Sequence, residues 1–474
     1  MSYGLTARDD GGYRHVLRVA LPLVLSMSSA TIMSFVDRMF LGWYSTREMG
    51  AALTGGITYW TSMSLFTGTA SYVSTFVAQY HGAQERSRVS VAVWQGLFFA
   101  VAAGALVCLA GFNASFIMGL TGHAPDLVVL ESAYYRILAM GAVLPLVSSA
   151  LGGFYSGLGR TGLVMCAEIA ANVVNFVLDY CMIFGRFGFP EWGIRGAAVA
   201  TVIGAATSTV FYAAAILFGR LGREYAVLRA PRLDAGLFWR LLKYGLPNGL
   251  GWTIDAASWT FFVWMVGRIG ERELQALSVT FAINHIAFLP MIGFSAATSI
   301  LVGQFVGAGR IDGATRSTRS SFAVTISYMT AIGAVFILLP GPLARLFAPQ
   351  KSAADFAAVV AMATVLLRFV AFYSIFDSGN LIFSAALKGA GDTRFTMVMG
   401  LVLSAVVLVV PTYLAVEWFD AGMYTVMAFG TAYVVILAAA FYLRYRAGAW
   451  KTMRVIEQRW PAQPRLTDGP MVDA

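Results

Sequence analysis

The sequence predicts an all-α membrane protein, with 12 transmembrane helices in two six-helix lobes related by an axis along the membrane normal. Three observations predict it. Of 474 residues, 58% are hydrophobic and only 12% are charged, whereas a soluble domain keeps its charged residues near a quarter. The apolar residues fall into runs long enough for spanning helices, each of which needs ~20 of them. The second half of the chain repeats the first.

Breaks rich in Gly, Pro, Asn or charge delimit spans at 16–43, 51–80, 89–113, 127–153, 161–186, 194–219, 237–267, 274–306, 318–340, 354–387, 395–418 and 422–446. The first follows a polar stretch ending near Arg14. It lacks the short apolar region and small-residue cleavage site of a removed signal, so a retained helix is expected. Residues 1–219 make the amino-terminal lobe and 237–446 the carboxy-terminal lobe. Residues 220–236, with Arg220, Arg223, Arg229 and Arg232, make a cytoplasmic connector. Residues 447–474 read as a polar, loosely ordered cytoplasmic tail containing Pro461 and Pro464.

A net charge of +9 raises the question of nucleic acid. The basic residues, however, sit in short segments between apolar runs and form no basic domain, which is how topology signals are placed. With the amino terminus inside, 23 of the 33 Lys and Arg lie inside and eight outside, with Arg136 and Arg368 within spans. Both termini are therefore expected in the cytoplasm of a multi-pass protein of the cell membrane. Cys108, Cys166 and Cys181 sit in apolar runs with no CxxC or Cys/His spacing, so neither a disulfide framework nor a zinc site is indicated.

The halves match in order. Leu21-Pro22 recurs as Leu246-Pro247, and the stretch Ala78-Gln79-Tyr80-His81-Gly82-Ala83 recurs as Gly303-Gln304-Phe305-Val306-Gly307-Ala308, both at an offset of 225. At an offset of 232, Arg136 matches Arg368, and Gly157-Leu158-Gly159-Arg160-Thr161 matches Gly389-Ala390-Gly391-Asp392-Thr393. An even number of spans per repeat gives the halves one orientation, and two parallel bundles around a cleft are a transporter plan.

On these residues the chain resembles the multidrug and toxic compound extrusion (MATE) family of cation-coupled exporters, in its NorM-like branch. The resemblance rests on Leu21-Pro22 through Val36-Asp37, on the Gln79/Gly82 and Gln304/Gly307 repeats, and on the paired Gly-x-Gly-x-Thr turns. Asn175-x-x-x-Asp179 and the stretch Gly196 to Thr201 add to it, and it covers nearly all of 15–446. It implies an outward-opening V and export of drugs or toxins by alternating access as Na⁺ or H⁺ enters, with no other cofactor. It also implies that Asp37, Asn175, Asp179 and Thr201 form a cation site in the first lobe, and that Asp255 and Asp377 form an acidic pair in the second. The seventh-helix acid is usually Glu in that branch; Asp255 is shorter, which leaves ion choice open.

The residue chemistry agrees with this reading. A charged group in hydrocarbon costs ~2.5–3.5 kcal/mol on insertion scales, and Asp37, Asp179, Asp255 and Asp377 fall within spans. Asp37 and Asp179 lie about six residues from the outer ends of their helices, ~9 Å deep. Asn175 and Asp179 are spaced to share a face. Two carboxylates, an amide and the Thr201 hydroxyl make a hard-oxygen set for Na⁺, or two acids that share a proton. The blander alternative makes each acid an interfacial cap, with Arg38 neutralising Asp37. Trp252 and Trp259 flank Asp255 three residues before and four after it. Together with Asp255 and Asp377 they could cage an organic cation, each cation–π contact adding ~0.5–2 kcal/mol, or they could simply pack. Arg136 and Arg368 fit structural pairing better than transport. His285 fits either a proton relay or an ordinary buried histidine, while His15, His81 and His123 read as surface residues. Pro22 and Pro247 are expected to bend their helices.

Three rival classes stand beside this reading. A lipid-linked oligosaccharide flippase would want a cleft rich in Arg or Lys, where this chain offers acids. A membrane enzyme would want a His cluster, HExxH or GxSxG, and none occurs. A channel differs in lacking obligatory exchange. Small organic cations and membrane lipid are the expected partners, of a monomer.

Overall fold

A computed structural model describes residues 10–229, 231–347 and 356–457. Its helices form twelve rods. The first six are α1 (Tyr13–Tyr44), α2 (Thr46–Ser71, continued after Tyr72 by Val73–Gly82), α3 (Arg86–Phe112), α4 (Pro125–Met140 and Val143–Gly157), α5 (Thr161–Phe184) and α6 (Ile194–Phe218). The second six are α7 (Ala235–Ile269), α8 (Glu271–Gly307), α9 (Ile311–Leu338), α10 (Ala357–Ala390), α11 (Thr393–Phe419) and α12 (Met423–Ala447). Among the described residues, nine rods are long and apolar enough to cross a membrane alone, and α4, bent by 43° between its segments, makes a tenth. The other two, α2 and α7, carry more polar residues. α2 is rich in Thr, Ser and Gly, and α7 holds Arg240, Lys243 and Asp255. These two polar rods pack on each other along the seam between the lobes.

Each lobe has its own apolar core, around Phe76, Phe154, Tyr155 and Tyr212 in the first and around Phe262, Phe305, Leu366 and Val426 in the second. A third cluster crosses the seam, where Val16, Val19 and Leu23 of α1 meet Phe294, Ala297 and Leu301 of α8. Symmetry pairs α1–α8 with α7–α2, so the seam is built twice from the same repeat.

The seam lies at the end of the bundle that carries the termini. Asn248 donates to the Gly68 carbonyl at 2.7 Å, and Tyr72 to the Lys388 carbonyl at 2.7 Å. The repeated glutamines cross over. The Gln79 amide donates to the Gly389 carbonyl at 2.9 Å, and the Gln304 amide to the Gly157 carbonyl at 2.8 Å. Thus the Gln of each repeat grips the Gly-x-Gly-x-Thr turn of the other. A Cβ on Gly82 would collide with the Gln304 carbonyl, and one on Gly307 with the Gln79 carbonyl. Among the described residues, the hydrogen bond between lobes farthest from the termini is Ser64–Thr253 at 2.9 Å.

The connector docks on the first lobe, where Gln95 donates to the Arg232 carbonyl at 3.0 Å and accepts from the Asp234 amide at 3.2 Å. One expectation changes. Residues 448–457 are ordered, with Trp450 fully buried, Val455 at 0% exposure and Ile456 at 4%. The tail composition is polar, but these apolar residues have a core to enter; Pro461 and Pro464 lie outside the described residues. Pro22 and Pro247 lie inside the continuous helices α1 and α7, where the ring removes a backbone donor.

Candidate functional site

In the first lobe, α1 and α5 pack along their length and bring the Asp37 and Asp179 carboxyl groups into contact. Asp179 is fully buried, Asp37 half-buried. One oxygen of each, Asp37 Oδ1 and Asp179 Oδ1, is buried without a hydrogen-bond partner. Asn175, one turn below on α5, donates to Asp179 Oδ2 at 3.1 Å. Two touching carboxyls with unsatisfied oxygens need a proton or a small cation between them, because paired like charges in hydrocarbon are costly. Thr201 lies on α6, a turn from Gly204, whose Cβ position is 3.1 Å from the Asn175 side chain. Its hydroxyl donates to the Ala197 carbonyl at 3.0 Å. Arg38 is an electrostatic neighbour of Asp37, without a direct ion pair to it among the described residues.

Tyr134 of α4, 7% exposed, is an electrostatic neighbour of both acids and had no signal in the sequence beyond its place in an apolar run.

The second lobe holds Asp377 in α10, 9% exposed, accepting from Asn380 at 2.9 Å. Asp255 of α7 is exposed, with Lys388, Tyr433 and Asp377 as its charged and polar neighbours. Lys388, on α10, is an electrostatic neighbour of Asp255 on α7, a proximity the sequence does not signal. The two tryptophans part company. Trp259 packs edge-on against Phe262 and Phe281, with ring centroids 5.5 and 5.8 Å apart, and lies 6.4 Å from Tyr433. Trp252 is 40% exposed and faces Gly68 of the other lobe.

Other residues also fall differently. His81 is half-buried and shares a hydrogen bond with Tyr225 at 2.8 Å, so it is no ordinary surface histidine, whereas His123 is exposed as expected and pairs with fully buried Glu131 at 2.8 Å. His285 is exposed, not buried. Arg136 donates to Ser115 at 3.3 Å, a structural pairing. The reading of four acids within spans is too few: Glu131 on α4 and Glu168 on α5 also lie in them. Among the described residues no group of three or more His, Cys, Asp or Glu could hold a metal ion, and the three cysteines are free.

Fold and site thus define a two-lobed multi-pass membrane protein with an acidic centre in each lobe and a seam at one end. The family profile described as MatE matches residues 22–181 and 256–414, one stretch in each repeat, and the chain belongs to that family. It is 28% identical over 452 residues to the probable multidrug resistance protein NorM of Pseudomonas aeruginosa, covering 93% of this chain and 90% of that one. It is likewise 28% identical to the protein of that name from Pseudomonas syringae pv. tomato, covering 94% of this chain and 96% of that one. Among solved structures it resembles a transporter of the MOP superfamily from Pyrococcus furiosus, with a TM-score of 0.83 at 20% identity, covering 94% of this chain and 98% of that one. An outward-facing multidrug resistance MATE family transporter matches with a TM-score of 0.82 at 20% identity, covering 92% and 96%.

Proposed function

We propose that the chain is a secondary antiporter, without enzymatic chemistry, that exports amphipathic and often cationic organic compounds in exchange for Na⁺ or H⁺. The observation that carries this reading is the contact of Asp37 and Asp179 within a helical lobe, with one buried oxygen of each left unsatisfied. Such a pair has a strong use for a cation and little use as a cap. The bias of Lys and Arg supports a cytoplasmic position for both termini. The seam then closes the cytoplasmic end, and the V opens outward. Asp255 and Asp377, with Trp252 and Trp259 near the opening, are the groups assigned to an organic cation. The names of the relatives support the same substrate class.

Exchange requires that ion and drug favour different states or exclude each other. Cation binding at Asp37–Asp179 drives release of drug outward, and drug loading from the inner side resets the lobes. The test is ethidium efflux from proteoliposomes under an imposed Na⁺ or pH gradient. Asp37→Asn and Asp377→Asn should each lower efflux at least tenfold at unchanged expression. Wild-type efflux from Asp37→Asn would overturn the exchange reading, and wild-type efflux from Asp377→Asn its assignment to the organic cation.

A further inference from the structure

Glu168 takes no part in the site described above. It sits on α5 as the inner member of a polar row: Glu168, Asn172, Asn175 and Asp179, at spacings of four, three and four. That spacing keeps all four side chains on one face of the helix. Over eleven residues the row runs ~16 Å, from the acid pair toward the end that bears the termini. Each member has a partner on the row or on a neighbouring helix. Asn175 donates to Asp179 at 3.1 Å, Asn172 donates to Ser29 of α1 at 3.0 Å, and Tyr212 of α6 donates to Glu168 at 3.0 Å. On α6 the facing residues Thr201, Ser208 and Tyr212 follow the same rhythm, and Ser208 bonds Ser148 of α4 at 2.8 Å. The lipid-side residues of α5, Val173, Val177 and Tyr180 among them, form a different face.

The surroundings of Glu168 are phenolic and uncharged. Tyr212 is 1% exposed and stacks on Tyr155 at 5.9 Å, and the Tyr155 hydroxyl is buried without a partner. The second segment of α4 has no charged residue, nor has α6 between Arg195 and Arg220. On α1 the charged residues at this end are Arg14 and Arg18, with His15, nearer the termini, and Glu168 forms no ion pair among the described residues. A carboxyl at membrane depth without a counter-charge marks an ionisable group kept for function.

We propose that Glu168, with Tyr212, is a second station for the coupling cation, Na⁺ or H⁺, through which the cation leaves the Asp37–Asp179 pair toward the terminus-bearing side along the polar row of α5. The station rests on the antiport reading, since a protein that moves no cation has no need of an exit. Asn175 and Asn172 bridge the interval between the two carboxyl sites, and Tyr212 holds the inner carboxyl in place. The outer pair binds the cation, and the inner one discharges it.

The test uses the full chain in liposomes, as wild type, Asp37→Asn, Glu168→Gln, Glu168→Ala and Tyr212→Phe. Two rates are read with ethidium as the probe. One is net efflux under an imposed Na⁺ or pH gradient. The other is counterflow without a gradient, in which drug-bound half-turns need no cation discharge. Glu168→Gln, which keeps the shape and the acceptor for Tyr212, should lower gradient-driven efflux at least tenfold while counterflow stays within twofold. Tyr212→Phe should lower the same rate several-fold. Wild-type efflux from Glu168→Gln overturns the station, and so does a parallel loss of both rates, which marks a structural role. Should Glu168→Ala aggregate, the glutamine variant carries the test. Wild-type efflux from Asp37→Asn removes the antiport reading itself. Lost efflux from Asp37→Asn beside normal efflux from Glu168→Gln removes the station alone.

Discussion

At the scale of single residues, Asp234 shows how one side chain can fix the start of a helix and its place in the molecule. It caps α7 by accepting from the Leu237 amide at 3.0 Å, and it pairs with Arg88 of α3 at 2.8 Å. The Leu237 N–H, and after it the Arg88 guanidinium, hold its carboxyl below the ordinary value of 3.8 against the opposing effect of partial burial. A depressed acid stabilises the fold above the carboxylate range and ceases to as pH falls through the lowered value. Its contribution is therefore full at pH 7 and fades only below about pH 4. Asp234→Ala should cost ~1 kcal/mol, the usual worth of a cap. The Arg88 pair adds little, because both side chains are more than a quarter exposed. Melting followed by tryptophan fluorescence in detergent should show the variant lower than wild type at pH 7, with the gap closing at pH 3. Equal melting at pH 7 would show that the cap is dispensable.

At the scale of elements, the second segment of α2 and the inner end of α8 meet through Gly82 and Gly307, where each helix leaves room for the other's carbonyl. Alanine at either position has no free space, and overpacking of this kind costs ~1–3 kcal/mol. Gly82→Ala and Gly307→Ala should each push the two segments apart. Gly162 of α5, with nothing within 4 Å of its Cβ position, is the control that should tolerate alanine. Spin labels at exposed Gln84 and Asp312 would report a longer distance in the first two variants and none in the third. Elements of this size were largely legible in the sequence, because hydrocarbon demands long apolar runs and most boundaries follow from that. The rods α2 and α7 are too polar for that rule, and the repeat helps to identify them. What the repeat is for was hidden, since Gln79 and Gly389 meet only through folding and are 310 positions apart. Asp37 and Asp179 were legible as buried acids, while Glu168 was overlooked although its spacing to Asn172, Asn175 and Asp179 lay in plain view. The proximity of Lys388 to Asp255 was hidden as well, because the two come from different helices.

At the scale of the whole molecule, the segment after α12 ties the two lobes together at the seam. Trp450 stacks on Tyr445 in the second lobe, with centroids 5.0 Å apart, while Val455 and Ile456 belong to the core of the first. The Val455 amide donates to Gln79 at 2.9 Å, and Arg240 donates to the Val455 carbonyl at 2.9 Å. Glu457 accepts from Tyr80 at 2.9 Å and lies 3.6 and 3.7 Å from Arg88 and Arg240. Two kinds of contact thus compete for credit. The ion pairs of Glu457 are part-exposed and worth at most ~1 kcal/mol each. Burial of Val455 and Ile456 is worth ~1.5–3 kcal/mol apiece, so the apolar contacts dominate. Together the two apolar side chains supply ~3–6 kcal/mol, comparable to the ~5.5 kcal/mol that moves a two-state equilibrium from 1:99 to 99:1. A chain ending at Thr452, and the point variant Val455→Asp, should both lengthen the distance between labels at Gln84 and Asp312. Glu457→Gln should leave it nearly unchanged. If the truncated chain keeps the wild-type distance distribution, the seam closes without its strap, and the glutamine and glycine contacts of the repeat alone hold the two lobes.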